Sequence, residues 1–179
     1  DLYTSPTKTI EDARQRETVM GTTGASSPTN IFLKSLNDFA GTKLKLISGY
    51  SGTNDTELAM QRGEVEGVLA DWSGLKVRGQ QWLAEKKMNI MVQWATERSP
   101  DLPDVRLVKE VGLDTKNKEI LQFYAMGNAL GRSFMAPPDV PADRLAALRK
   151  AFQETMKDPD LLAFAKKGNI DMGPTATGE

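Results

Sequence analysis

Residues 21–28 read Gly-Thr-Thr-Gly-Ala-Ser-Ser-Pro, a run whose residue types suit the capture of a small anion. Glycines such as Gly21 and Gly24 let the backbone turn tightly and approach a ligand closely. A helix starting after them leaves unpaired N–H groups that attract negative charge. The hydroxyls of Thr22, Thr23, Ser26 and Ser27 each add a donor. The same residues have a plainer use: Ser27 is a good helix N-cap, Pro28 suits the first helical position, and the glycines turn the chain. Both readings stand at this point. The run lacks the Gly-Lys-Ser/Thr ending of a phosphate loop and misses the Gly-x-Gly-x-x-Gly spacing, which argues against a nucleotide.

Two later segments repeat the chemistry. Gly49-Tyr50-Ser51-Gly52-Thr53 again sets a glycine and a hydroxyl at a helix start, and Tyr50 adds a flat wall with a polar tip. Asp71-Trp72-Ser73 is the third. Asp71 reads as a cap or a ligand contact, and Trp72 as core or as pocket wall.

Composition removes most alternatives. The 179 residues include no cysteine and no histidine, so thiolate or histidine metal sites and a Ser-His-Asp triad cannot form. A net charge of −1 gives no basic footprint for nucleic acid. The paired carboxylates Glu64/Glu66 and Asp101/Asp104 read as solvated, and the scattered Met60, Met88, Met91, Met126, Met135 and Met156 as core filler. No apolar run approaches the ~20 residues of a membrane span. No cofactor or metal motif is present, and the chain reads as a binder, not an enzyme. It opens at Asp1 without Met, which suggests processing or truncation.

The elements that must position these residues alternate. Strands are expected at Glu17–Met20, Lys43–Ser48, Val65–Ala70 and Met88–Ala95. Helices are expected after Ser27, after Gly52 and over Leu75–Lys86. This is an α/β pattern with a mostly parallel sheet flanked by helices. Ligands of such sheets bind beyond the carboxyl ends of the strands, where the three polar segments would meet. Beyond residue 96 come a proline-rich loop, a short helix at Val105–Val111, a longer one at Lys116–Leu130 and a short strand at Ser133–Ala136. Two capped C-terminal helices follow. Leu145, Leu148, Phe152 and Met156 form the stripe of the first; Leu161, Leu162 and Phe164 form that of the second, which starts at Asp158-Pro159 and stops at Gly168.

Several longer segments lie in a telling order: Gly-Tyr-Ser-Gly-Thr (49–53), Leu-Ala-Met-Gln-Arg-Gly-Glu-Val-Glu-Gly (58–67), Glu-Arg-Ser-Pro-Asp-Leu-Pro-Asp-Val (97–105), Gly-Arg-Ser-Phe-Met-Ala-Pro-Pro-Asp-Val-Pro (131–141) and Ala-Phe-Gln-Glu-Thr-Met-Lys-Asp-Pro (151–159). Together they resemble the extracytoplasmic receptors of tripartite tricarboxylate transporters, the Bug or TctC type. The resemblance implies a lobe of a type II periplasmic binding protein. A leading segment would cover 1–16, the second, ligand-binding lobe 17–136, and the helices at 137–179 would pack on a first lobe that this chain does not include.

It further implies capture of a small organic acid in the periplasm and its delivery to membrane permease subunits. Contacts would come from Thr22, Thr23, Gly24, Ser26, Ser27, Tyr50, Ser51, Gly52, Thr53, Asp71 and Trp72. Ser51 stands where the family commonly has Lys, and a His often found early in the first helix is missing; both leave the usual dicarboxylate preference open. The uncovered C-terminal stripes would favour homo-association. An effector-binding domain of a transcriptional regulator is the alternative, and a small-carboxylate enzyme a third reading.

Overall fold

A computed structural model describes residues 5–129, 133–168, 170 and 172. The chain divides into two compact units, one of residues 1–70 and 82–131, the other of 71–81 and 132–179.

The first unit is built on α1 (Ile10–Gln15), β1 (Thr18–Thr22), α2 (Pro28–Ala40), β2 (Leu44–Ser48), α3 (Thr53–Gln61) and β3 (Gly67–Val68). The three strands form one parallel sheet in the order β2-β1-β3, with Thr18 opposite Leu44 and Met20 opposite Gly67. Each crossover is a helix, as parallel pairing requires. Successive β1 side chains go to opposite faces. Met20 joins Leu33, Leu36 and Ala40 of α2, with Leu44, Val108, Val111, Leu121 and Ala125. Val19 packs with Ala59, Met60 and Val65 on the other side. The central strand is thus covered on both faces, and its last residue, Thr22, is fully buried. Gly67 is tied to this packing, since a Cβ there would lie 2.9 Å from the Met20 sulfur.

Local chemistry sets the boundaries. Ser27 Oγ accepts from the Asn30 N–H at 3.3 Å and Pro28 opens α2. Gly41 closes it at φ +69°, a left-handed conformation that glycine adopts without strain. The leading segment contains α1, whose Thr9/Asp12 capping box was not anticipated. Ile10 and Ala13 enter the core. Arg14 donates to the Ala40 carbonyl at 2.8 Å and the Val111 carbonyl at 2.7 Å, tying α1 to the end of α2.

Several expected elements differ. Met88–Ala95 is not a strand; only Gln93 forms a bridge, with Leu107. The Gln93 side chain donates to the Leu102 and Val105 carbonyls, both at 2.8 Å, and accepts from the Ser99 N–H at 2.9 Å. Its side chain therefore serves the proline-rich loop, while its backbone pairs with Arg106 and Val108 and not with the sheet. The strand expected over Val65–Ala70 shortens to β3. Leu75–Lys86 is two helices, α4 (Trp72–Arg78) and α5 (Gln80–Ala84), separated at Gly79. Val105–Val111 contains a single 3₁₀ turn, Val108–Glu110. Helix α6 (Thr115–Ala129) completes this unit, with Leu121 and Ala125 inward; Leu130 lies outside the described residues. Met126 is exposed, not core filler. Glu66 is not solvated: its side chain keeps 10% of its exposure and pairs with Arg16 at 2.7 Å.

The second unit holds α4, α7 (Ala142–Thr155) and α8 (Pro159–Lys167). Asp158 caps α8, accepting from the Asp160 and Leu161 N–H groups at 2.9 and 3.0 Å. Ser133–Ala136 forms no strand, and Phe134 and Met135 are 86% and 89% exposed. The Phe134 and Phe152 rings lie 5.4 Å apart. Helix α7 buries no residue, and Leu148, Leu162 and Phe164 remain open.

Candidate functional site

Strands β1 and β2 end side by side, and their ends are polar. Thr22 closes β1 and Ser48 closes β2 in direct register. Their hydroxyls share a hydrogen bond of 2.8 Å. Asn30, in the first turn of α2, donates its side-chain amide to both, at 3.2 Å to Thr22 Oγ1 and 3.0 Å to Ser48 Oγ. The Tyr50 N–H donates to the Thr22 carbonyl at 3.4 Å, drawing the loop after β2 against the end of β1. Parallel pairing aligns the ends, and α2 must start above them because it crosses over from β1 to β2.

The loop between β1 and α2 is ordered by its own side chains. Ser27 donates its hydroxyl to the Gly24 carbonyl at 2.7 Å and its N–H to the same oxygen at 3.0 Å. Ser27 and Thr23 both meet the Thr29 hydroxyl, at 2.8 and 3.3 Å. Ser26 is exposed, and its hydroxyl has no hydrogen bond among the described residues. In the second loop Gly49 takes φ +117°. Tyr50 is half-buried and packs near Ala59, Met60 and Val65. Its ring lies 3.4 Å from where a Cβ on Gly21 would stand, so Gly21 admits Tyr50 over the sheet edge. Ser51 is exposed. Gly52 caps α3 without a side-chain bond, and its carbonyl accepts from the Thr56 N–H at 3.2 Å. The Thr53 carbonyl accepts from the Thr56 hydroxyl at 2.8 Å.

Thr22, Thr23, Gly24, Ser26, Ser27, Tyr50, Ser51, Gly52 and Thr53 therefore all fall at the ends of β1 and β2, within the first unit. Asp71 and Trp72 fall in the second. There Asp71 acts as the cap of α4, accepting from the Gly74 N–H at 2.6 Å, with Arg78 3.8 Å away. Trp72 is half-buried, with the Lys76 ammonium 6.0 Å from its ring.

Sequence reasoning missed Asn30, Thr29 and Ser48. Asn30 had a legible signal, because a polar amide three residues into a helix after a hydroxyl-rich turn can reach back to the strand end. Ser48 was read as one more alternating strand residue.

The arrangement presents hydroxyl and amide groups, good for holding a small polar molecule and poor for activating one. Among the described residues no group of three acidic side chains could hold a metal ion, and no helix is long and apolar enough to cross a membrane.

No curated protein matches the chain. Among solved structures it is similar to a TctC solute-binding protein from Polaromonas, crystallised with no ligand, at 17% identity and a TM-score of 0.49 over 72% of this chain. The chain spans about half the length of that structure, 52%. The model of the tripartite tricarboxylate transporter family receptor, TctC, matches residues 4–177. That match runs through both units and nearly the whole chain, and on it the chain belongs to the tripartite tricarboxylate transporter receptor family.

Proposed function

We propose that the chain is the ligand-binding lobe, with its C-terminal helices, of an extracytoplasmic solute receptor. It would capture a small carboxylate or related organic solute in the periplasm and pass it to the membrane subunits of a tripartite transporter. The observation that carries this reading is the family match over residues 4–177. The ends of β1 and β2 support it. Thr22 and Asn30 hold the Ser48 hydroxyl in place at the end of β2, and Ser26 and Ser51 are exposed in the loops that follow β1 and β2. Such a site binds by hydrogen bonding and performs no turnover. In this reading residues 17–136 make one wall of the cleft and residues 137–179 pack on another lobe. Where that lobe is absent, the open faces of α7 and α8 would draw two copies together.

The test is a thermal-shift screen of small carboxylates on the full-length receptor, repeated with Ser26→Ala, Ser27→Ala and Ser48→Ala. A ligand at a hundred times its Kd adds about 2.7 kcal/mol to the native state. The variants should shrink the ligand-induced shift; Ser27→Ala also removes a cap, so the shift is compared, not the starting Tm. If no carboxylate stabilises the intact protein, the ligand class is wrong.

A further inference from the structure

Residues 5–9 run beside the sheet with no backbone–backbone bond to any strand among the described residues. Side chains hold them instead. The Thr7 N–H donates to Ser5 Oγ at 3.0 Å, and the Lys8 and Thr9 N–H groups donate to Asp12 Oδ2, both at 3.0 Å. Two links run onward to the sheet: the Thr7 hydroxyl meets the Thr18 hydroxyl of β1, and a larger set of bonds converges on one carboxylate. Ser5 donates its hydroxyl to Glu66 Oε1 at 3.0 Å, and Arg16 donates to the same oxygen at 2.7 Å. Arg16 also donates to the buried Thr7 hydroxyl, which meets the Thr18 hydroxyl of β1 at 2.8 Å. The other oxygen, Glu66 Oε2, accepts from the Val19 N–H at 3.0 Å, while the Glu66 N–H donates to the Val19 carbonyl at 2.7 Å. The Glu66 side chain thereby supplies a ladder bond where β3 is only two residues long.

We infer that Glu66 is a clasp, fastening the segment 5–9 to the β1–β3 edge while ionised and releasing it when its charge is neutralised. A carboxylate accepts three donors here; protonated, it brings a hydrogen of its own into a site of donors and meets Arg16 without charge. Burial pushes the Glu66 carboxyl up, but Arg16, the Val19 N–H and the Ser5 hydroxyl together outweigh it and hold the group below its ordinary value of 4.5. A depressed folded-state value means the fastening is complete above the ordinary value and is lost as pH falls through the depressed one. Arg16 is the charged group in contact. Of the charged residues nearby in sequence, Glu64 pairs with Arg62 at 3.7 Å, Glu17 pairs with Lys45 at 3.5 Å, and Asp12 accepts from Lys8 and Thr9.

Hydrogen exchange on the full-length protein, expressed as protection factors across pH, tests this. The Val19 amide reads the clasp directly. In the unaltered protein its protection should hold steady down to about pH 5 and fall at least about tenfold below the Glu66 titration. Glu66→Gln should show the low value at every pH, and the Thr7 amide, bonded to Ser5 Oγ, should lose protection with it. Asp12→Asn should leave Val19 unchanged. If Glu66→Gln does not fold, the unaltered protein still decides, because protection of the Val19 and Thr7 amides must fall together with a ¹³C titration of the Glu66 carboxyl. Protection that survives below that titration overturns the clasp. So does equal protection in Glu66→Gln and the unaltered protein at neutral pH.

Discussion

Helices α2 and α7 are nearly equal in length, 13 and 14 residues, and both carry an apolar stripe at helical spacing. Their fates differ. Helix α2 buries Leu33, Ser35, Leu36 and Ala40, while α7 buries nothing. The stripe of α2 meets β1, β2 and α6 within its own unit. That of α7, with Leu148 at 60% exposure, has no such layer among the described residues of its unit. Periodicity states that a face needs cover; it does not state what supplies it.

The contrast can be broken by measurement, beginning with the core. Leu36→Ala should cost about 2–5 kcal/mol in urea unfolding, since it opens a cavity in a fully packed site. Leu148→Ala on α7 should stay within about 0.5 kcal/mol, as surface changes do. Equal losses would mean that α7 is already covered. The helix starts give a smaller step. Ser27→Ala should cost about 1 kcal/mol, because it removes the α2 cap and the bond to the Gly24 carbonyl. Helix α7 starts after Pro141, with no side-chain bond to lose. Phe164→Glu on α8 should likewise change stability by at most about 0.5 kcal/mol. Its effect should fall on association: light scattering should show copies joined in the unaltered chain and single in the variant. A unaltered chain that is strictly monomeric removes the self-association proposed above.

Much of this was legible because single residues carried it. Pro28 and Gly41 bracket α2, and Asp158-Pro159 and Gly168 bracket α8, each by a local conformational rule that packing did not override. The segment at Met88–Ala95 was misread because its apolar run resembles a buried strand, whereas the Gln93 side chain commits it to the loop at 99–105. Glu66 was misread for a related reason. Its partners Ser5, Arg16 and Val19 lie 47 or more positions away, and no local pattern announces them. At the candidate site the turn residues were visible as glycines and hydroxyls. The Thr22–Asn30–Ser48 grouping was not, because it exists only once parallel register sets the two strand ends level.

That grouping has a property that follows from counting hydrogens. The Asn30 amide uses both of its hydrogens on the two hydroxyls, so Thr22 and Ser48 have two hydrogens left between them and one shared contact to fill. When Thr22 fills it, the Ser48 hydrogen is free to point toward solvent. When Ser48 fills it, the Thr22 hydrogen turns to the Ile47 carbonyl, 3.5 Å away, and Ser48 shows solvent a lone pair. Hydroxyl rotation alone separates the two states. The end of β2 can therefore greet a visitor as donor or as acceptor, with every heavy atom left where it is.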